Sequence, residues 1–172
     1  QTMSGYANLL HHHKRYAEAE ALNRQLLAVF CAKRGRQHND YLLALNNLGD
    51  SLVKQGKLGE AEQLYREALI TASNFDADHR KVVKSLTGLG LVLALRHMWK
   101  SAEEMLLNAS ILYQYLHLES HPQAIATHQA LSVVVVMRQR SFQPSLNHTS
   151  PTQSMGEPNN TGNQENGVLN EF

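Results

Sequence analysis

Cysteine is almost missing from this 172-residue chain, and proline is scarce until its end: there is one Cys, and three of the four Pro lie beyond position 142. The lone Cys31 excludes an internal disulfide framework and any multi-cysteine zinc or iron–sulfur site, and it fits a reducing compartment. No apolar run approaches the roughly 18 residues needed to cross a bilayer, and no signal-peptide pattern opens the sequence. The expectation is a cytoplasmic protein with no membrane partner. Position 1 is Gln rather than Met, which leaves room for a fragment or processed product whose address lies upstream. A charge of one sign is also lacking, since 16 Lys and Arg face 15 Asp and Glu. That balance points to neither nucleic acid nor an acidic partner. The length is too short for a barrel enzyme of about 250 residues.

The scarce proline marks a boundary. Residues 143–172 hold Pro144, Pro151 and Pro158, three acids and no Lys or Arg, so residues 1–142 carry 16 minus 12, or +4. The segment is dominated by Asn, Gln, Ser and Thr and cannot bury enough apolar surface to offset about 1–2 kcal/mol of ordering cost per residue. Two domains of different kind are expected: a folded array over 1–142 and a disordered polar tail over 143–172. The glycosylation-like triplets at Asn147 and Asn159 read as chance matches in that tail.

What the first part has in quantity is repetition. The dipeptides Ala19-Glu20, Ala61-Glu62 and Ala102-Glu103 are 42 and 41 residues apart, and His38, His79 and His121 recur at 41 and 42. Superposed, the copies align Ala7, Gly49 and Gly90, then Leu10, Leu52 and Leu93, then Tyr16, Leu58 and Trp99. In the middle copy Tyr41, Leu45, Leu48 and Leu52 form one helical stripe, and Ala61, Leu64, Tyr65, Ala68, Leu69 and Ala72 form a second. Gln55-Gly56-Lys57 interrupts both, so each copy is a helical hairpin with a tight turn. Gly49 and Ala61 clear bulk where its two helices approach. Asp78 before His79 and Ser120 before His121-Pro122 are expected N-caps. A fourth first-helix through IATHQALSVVVVMRQ lacks a partner helix, and Val133–Val136 make a poor solvent-facing cap, which points to truncation, an alternative end, self-association or a further partner that covers this face.

The stretch LNNLGDSLVKQGKLGEAEQLYREAL, residues 45–69, resembles the tetratricopeptide repeat. The 41–42 residue spacing, the Asn46-Asn47 pair and the Asp78-His79 helix start are similar to the longer repeats of kinesin light chains. The flanking copies carry Ser4-Gly5, Thr87-Gly88 and Gln129-Ala130 in place of the Asn pair. The resemblance implies an all-α solenoid, a right-handed superhelix of antiparallel hairpins, whose first helices line a concave peptide-binding groove. Repeat stacking by itself also leaves an extended inner surface.

Placing the non-stripe positions of the first helices on that surface gives Ser4, Asn8, His11 and His12, then Asn46, Asn47, Asp50 and Lys54, then Thr87, Leu91 and Ala94, then Gln129, Val133 and Val136. The groove should grade from polar to apolar. Asn8, Asn46, Asn47, Asp50 and Lys54 are the expected peptide contacts, because an Asn amide both donates to and accepts from a peptide backbone. No second cation stands at corresponding positions of copies one and three, so carboxylate clamping is not expected. An interaction scaffold or adaptor follows, binding an extended or helical segment of another protein; a helical-repeat RNA-binding module is the alternative, disfavoured because most cations fall in turns and outer segments. Catalysis, cofactors and metal are not expected: adjacent His11, His12 and His13 cannot share a helix face. The per-repeat histidines read as capping or packing groups, Trp99 and Tyr16 as core, and Cys31 as a small buried apolar residue.

Overall fold

The computed structural model describes residues 3–141, which belong to one compact unit. The expected disordered tail over 143–172 lies outside the described residues. Seven helices follow one another: α1 (Met3–His12), α2 (Tyr16–Arg34), α3 (Asn39–Lys54), α4 (Leu58–Ala72), α5 (His79–Leu95), α6 (Trp99–Tyr115) and α7 (Pro122–Ser141). Each packs on the next, giving three antiparallel hairpins and a fourth, single helix. The all-α solenoid read from the sequence is therefore the fold.

The turns inside the hairpins show how the copies are kept in phase. The amide of Lys57 donates back to the Leu52 carbonyl at 2.9 Å, and Arg15 to Leu10 and Met98 to Leu93 repeat the bond at the same length. This way of ending a helix needs one residue in the left-handed region. Gly56 supplies it in the second hairpin at φ 76°, whereas Lys14 and His97 are forced there at 61° and 60°. Side chains in that region are strained by roughly 1–2 kcal/mol.

The caps correct one sequence expectation. Asp78 Oδ1 does accept the Arg80 amide at 2.9 Å, but the group at the α7 start is His121 rather than Ser120: its Nδ1 accepts from Gln123 at 3.3 Å. His38 Nδ1 does the same for Asp40 at 3.1 Å. His79 instead lies against the Tyr115 ring.

The recurring Ala-Glu dipeptide is two devices side by side. Ala19, Ala61 and Ala102 are fully buried between the helices of their hairpins. Each glutamate turns to the following hairpin, where Glu20 accepts from Lys57 Nζ at 2.9 Å and Gln55 Nε2 at 2.8 Å. Glu62 pairs with Arg96, and Glu103 with Arg138 at 2.5 Å. The hydrogen bond from Lys57 above all, with those from Gln55 and Arg24, holds Glu20 ionised, its pKa pulled down to about 2.

First helices pack closely on one another across hairpins, α1 with α3, α3 with α5 and α5 with α7; among the described residues second helices stand further apart, although Arg24 of α2 reaches Glu60 of α4 at 3.0 Å. The array therefore closes up on the first-helix side, which becomes the concave face.

Candidate functional site

Three cavities of about 220, 230 and 650 Å³ lie on the concave face, and Leu91 lines all three, so they form one trough. It runs from His11 on α1, past Asp50 and Lys54 on α3 and Lys84 on α5, to Gln129, Val133 and Met137 on α7. The largest cavity is walled by Leu91, Leu95, Trp99, Val133 and Met137, with little polar surface. The trough grades from polar to apolar, in the direction expected. Trp99 is half-buried, packs on the main core and also faces this cavity, edge-on to His97 at 5.1 Å.

At the polar end the side chains hold one another. Asn47 Nδ2 donates to Asn8 Oδ1 at 3.0 Å, and Lys84 Nζ donates to Asn47 Oδ1 at 2.8 Å. The same ammonium pairs with Asp50 at 2.9 Å, and Asp50 accepts the Tyr65 hydroxyl at 2.6 Å. One chain of contacts thus joins α1, α3, α4 and α5. Burial, with Asp50 beside it, drives the Tyr65 phenol far above its ordinary pKa and keeps it a donor.

Of the expected contacts, Asn8 and Lys54 are exposed, Asp50 is half-buried and lines the trough with Lys54, and Asn47 is buried with its amide held between Asn8 and Lys84. Asn46 departs from the expectation. It is fully buried, donates to the Lys81 carbonyl at 3.0 Å and accepts from Ser85 Oγ at 2.7 Å, so both ends of its amide fasten α3 to α5. Neighbouring helical residues differ by about 100° in direction, which turns Asn47 towards Asn8 and Lys84 and Asn46 towards Lys81 and Ser85. Thr87, its counterpart in the next copy, similarly meets Thr127 at 3.4 Å.

Lys84 was missed. Stepping back one turn from Asn47, Asp50 and Lys54 reaches position 43, whose counterpart in the next copy is Lys84. His11, placed on the inner surface by the sequence, lines the trough: it is half-buried, packs edge-on to Tyr16 at 5.2 Å, and burial lowers its pKa. Cys31 is exposed rather than buried, because the buried side of α2 runs through Ala19, Asn23 and Leu26 and leaves position 31 about 100° past Phe30. Among the described residues no group of three or more His, Cys, Asp or Glu is placed to hold a metal, and no helix is long and apolar enough to cross a membrane.

Residues 1–74 match the family profile described as tetratricopeptide repeat. No curated protein sequence matches the chain. Two crystal structures of nearly identical repeats from a Podosopora anserina kinesin light chain, one of them a variant, superpose with a TM-score of 0.70 at 16% identity. Each alignment covers 80% of this chain and 66% of that one. BtubC (BKLC) from P. vanneervenii superposes with a TM-score of 0.60 at 18% identity, over 93% of this chain and 70% of that one. These likenesses concern the fold.

Proposed function

We propose that this chain, a tetratricopeptide-repeat protein with the fold of kinesin light chain repeats, is a non-catalytic adaptor that holds a peptide segment of a partner protein in the concave trough. The observation that carries the reading is the continuous trough, apolar at one end and hydrogen-bonding at the other. Apolar side chains of the partner enter the 650 Å³ cavity and supply most of the affinity. At the other end Asn8, Asn47, Asp50 and Lys54, with Lys84, engage the peptide backbone and its polar groups. A cytoplasmic setting suits such an adaptor.

RNA reading is less well supported. Helical repeats that bind single strands need cations along the groove, whereas here the trough cations are Lys54 and Lys84, the latter paired with Asp50, and Arg24, Arg66, Arg96 and Arg138 are held by glutamates.

The test compares proteins retained from a lysate by immobilised full chain and by its Leu91→Asp and Val133→Asp variants. Both residues are exposed, at 41% and 56%, so the substitutions leave folding intact. Loss of the same partner from both variants, with unchanged melting temperatures, is expected. Retention by both would refute the trough as the binding surface.

A further inference from the structure

The single helix α7 keeps the socket that the other first helices use for their hairpin partners. In α3 the positions facing α4 are Leu42, Leu45, Gly49 and Leu52, all buried, and in α5 their counterparts facing α6 are Val83, Leu86, Gly90 and Leu93. One repeat further on, the same positions are Ile125, His128, Ser132 and Val135. Ile125 and Ser132 are exposed, because no helix covers them among the described residues. The small residue at the point of closest approach is retained, as Ala7, Gly49, Gly90 and Ser132 in successive copies.

The covered copies specify what fits. At Gly49 an added Cβ would stand 2.7 Å from the Tyr65 ring, and at Gly90 the same distance from Leu106. Each of these large side chains follows a fully buried alanine by four residues, Ala61 before Tyr65 and Ala102 before Leu106. Residues 142–172 offer no equivalent: three prolines divide them, and the longest proline-free run, 159–172, contains Gly162 and Gly167. The helices to be matched are 15 and 17 residues long.

We propose that the Ile125–Ser132–Val135 face of α7 is a second docking surface, separate from the trough, and that it takes an amphipathic helix from another protein. The incoming helix runs antiparallel to α7, with an alanine at the crossing and a leucine or tyrosine four residues later seated on Ser132. The interface continues the hairpin packing already made three times among the described residues.

The probe is a fluorescein-labelled peptide with the α4 sequence, Leu58–Ala72, titrated with full chain and followed by anisotropy. Saturable binding is expected, weakened about tenfold or more by Ser132→Arg and by Ile125→Asp, both at exposed positions, with melting temperatures unchanged. Leu91→Asp should bind the peptide like the parent, which separates this surface from the trough. The proposal is overturned if the parent shows no saturable binding, or if both α7-face variants bind as the parent does. It is also overturned if sedimentation finds a parent dimer that Ser132→Arg converts to monomer, since a second copy would then occupy the face.

Discussion

Hairpin two carries Tyr65 where hairpin one carries Asn23, and this exchange separates how each joins the hairpin after it. The Tyr65 ring fills the space left by two glycines: a Cβ on Gly49 would lie 2.7 Å from it, and one on Gly88, in the next hairpin, 2.5 Å. In hairpin one the smaller Asn23 is matched by the larger Asn47, the counterpart of Gly88. Hairpin three trades again, with Leu106 and Ala130. Volume is conserved across the junction while its chemistry is not. Asn23 spends its amide donor on the Ala19 carbonyl at 2.9 Å and leaves Oδ1 buried without a partner, whereas Tyr65 packs fully and donates into the trough. The second junction is the better built of the two.

Breaking that asymmetry should show it. Tyr65→Asn opens a cavity and removes the bond to Asp50, and should cost about 3–5 kcal/mol in denaturant unfolding. Asn23→Ala, at the matching position, should cost about 1 kcal/mol or less. Gly88→Asn imposes the first junction's residue on the second and should cost about 1–3 kcal/mol by overpacking. Combined with Tyr65→Asn it should cost less than the sum of the two single changes. Additive losses would show that the sites do not share the space.

Much of this was legible in the sequence because helix-forming stripes and a 41–42 residue period are local signals. The hairpins, the turn at Gly56 and the buried Ala61 follow from spacing alone. The destination of a polar side chain does not. Asn46 and Asn47 stand together in the chain, yet one bonds to Ser85 and Lys81 while the other joins Asn8 to Lys84. Lys84, which lines the trough, comes from another hairpin, 37 residues beyond Asn47. The repeated glutamate was visible as a pattern, but its partners, Lys57, Arg96 and Arg138, lie in the following repeat and do not share one residue type.

Smaller tests sharpen the same contrast. Asn46→Ala should lose about 1–3 kcal/mol by stranding buried hydrogen-bonding groups, while Asn8→Ala, exposed, should stay within about 0.5 kcal/mol. Exchanging the turn residues should move stability in opposite directions by about 0.5–1 kcal/mol: Lys14→Gly upward, Gly56→Lys downward. The pH dependence carries the first junction's signature. Because Glu20 is held at about 2 against an ordinary 4.5, its contribution is present above pH 4.5 and fades as pH falls towards 2. Glu20→Gln should flatten that part of the acid unfolding curve.

The most direct measurement maps amide chemical shifts of isotope-labelled full chain on adding a partner segment retained by the lysate assay. The account predicts changes along the inner faces of α1, α3, α5 and α7, strongest around Leu91, Val133 and Met137, with α2 and the outer sides of α4 and α6 unaffected. Changes centred on those second helices, with the trough undisturbed, would contradict it.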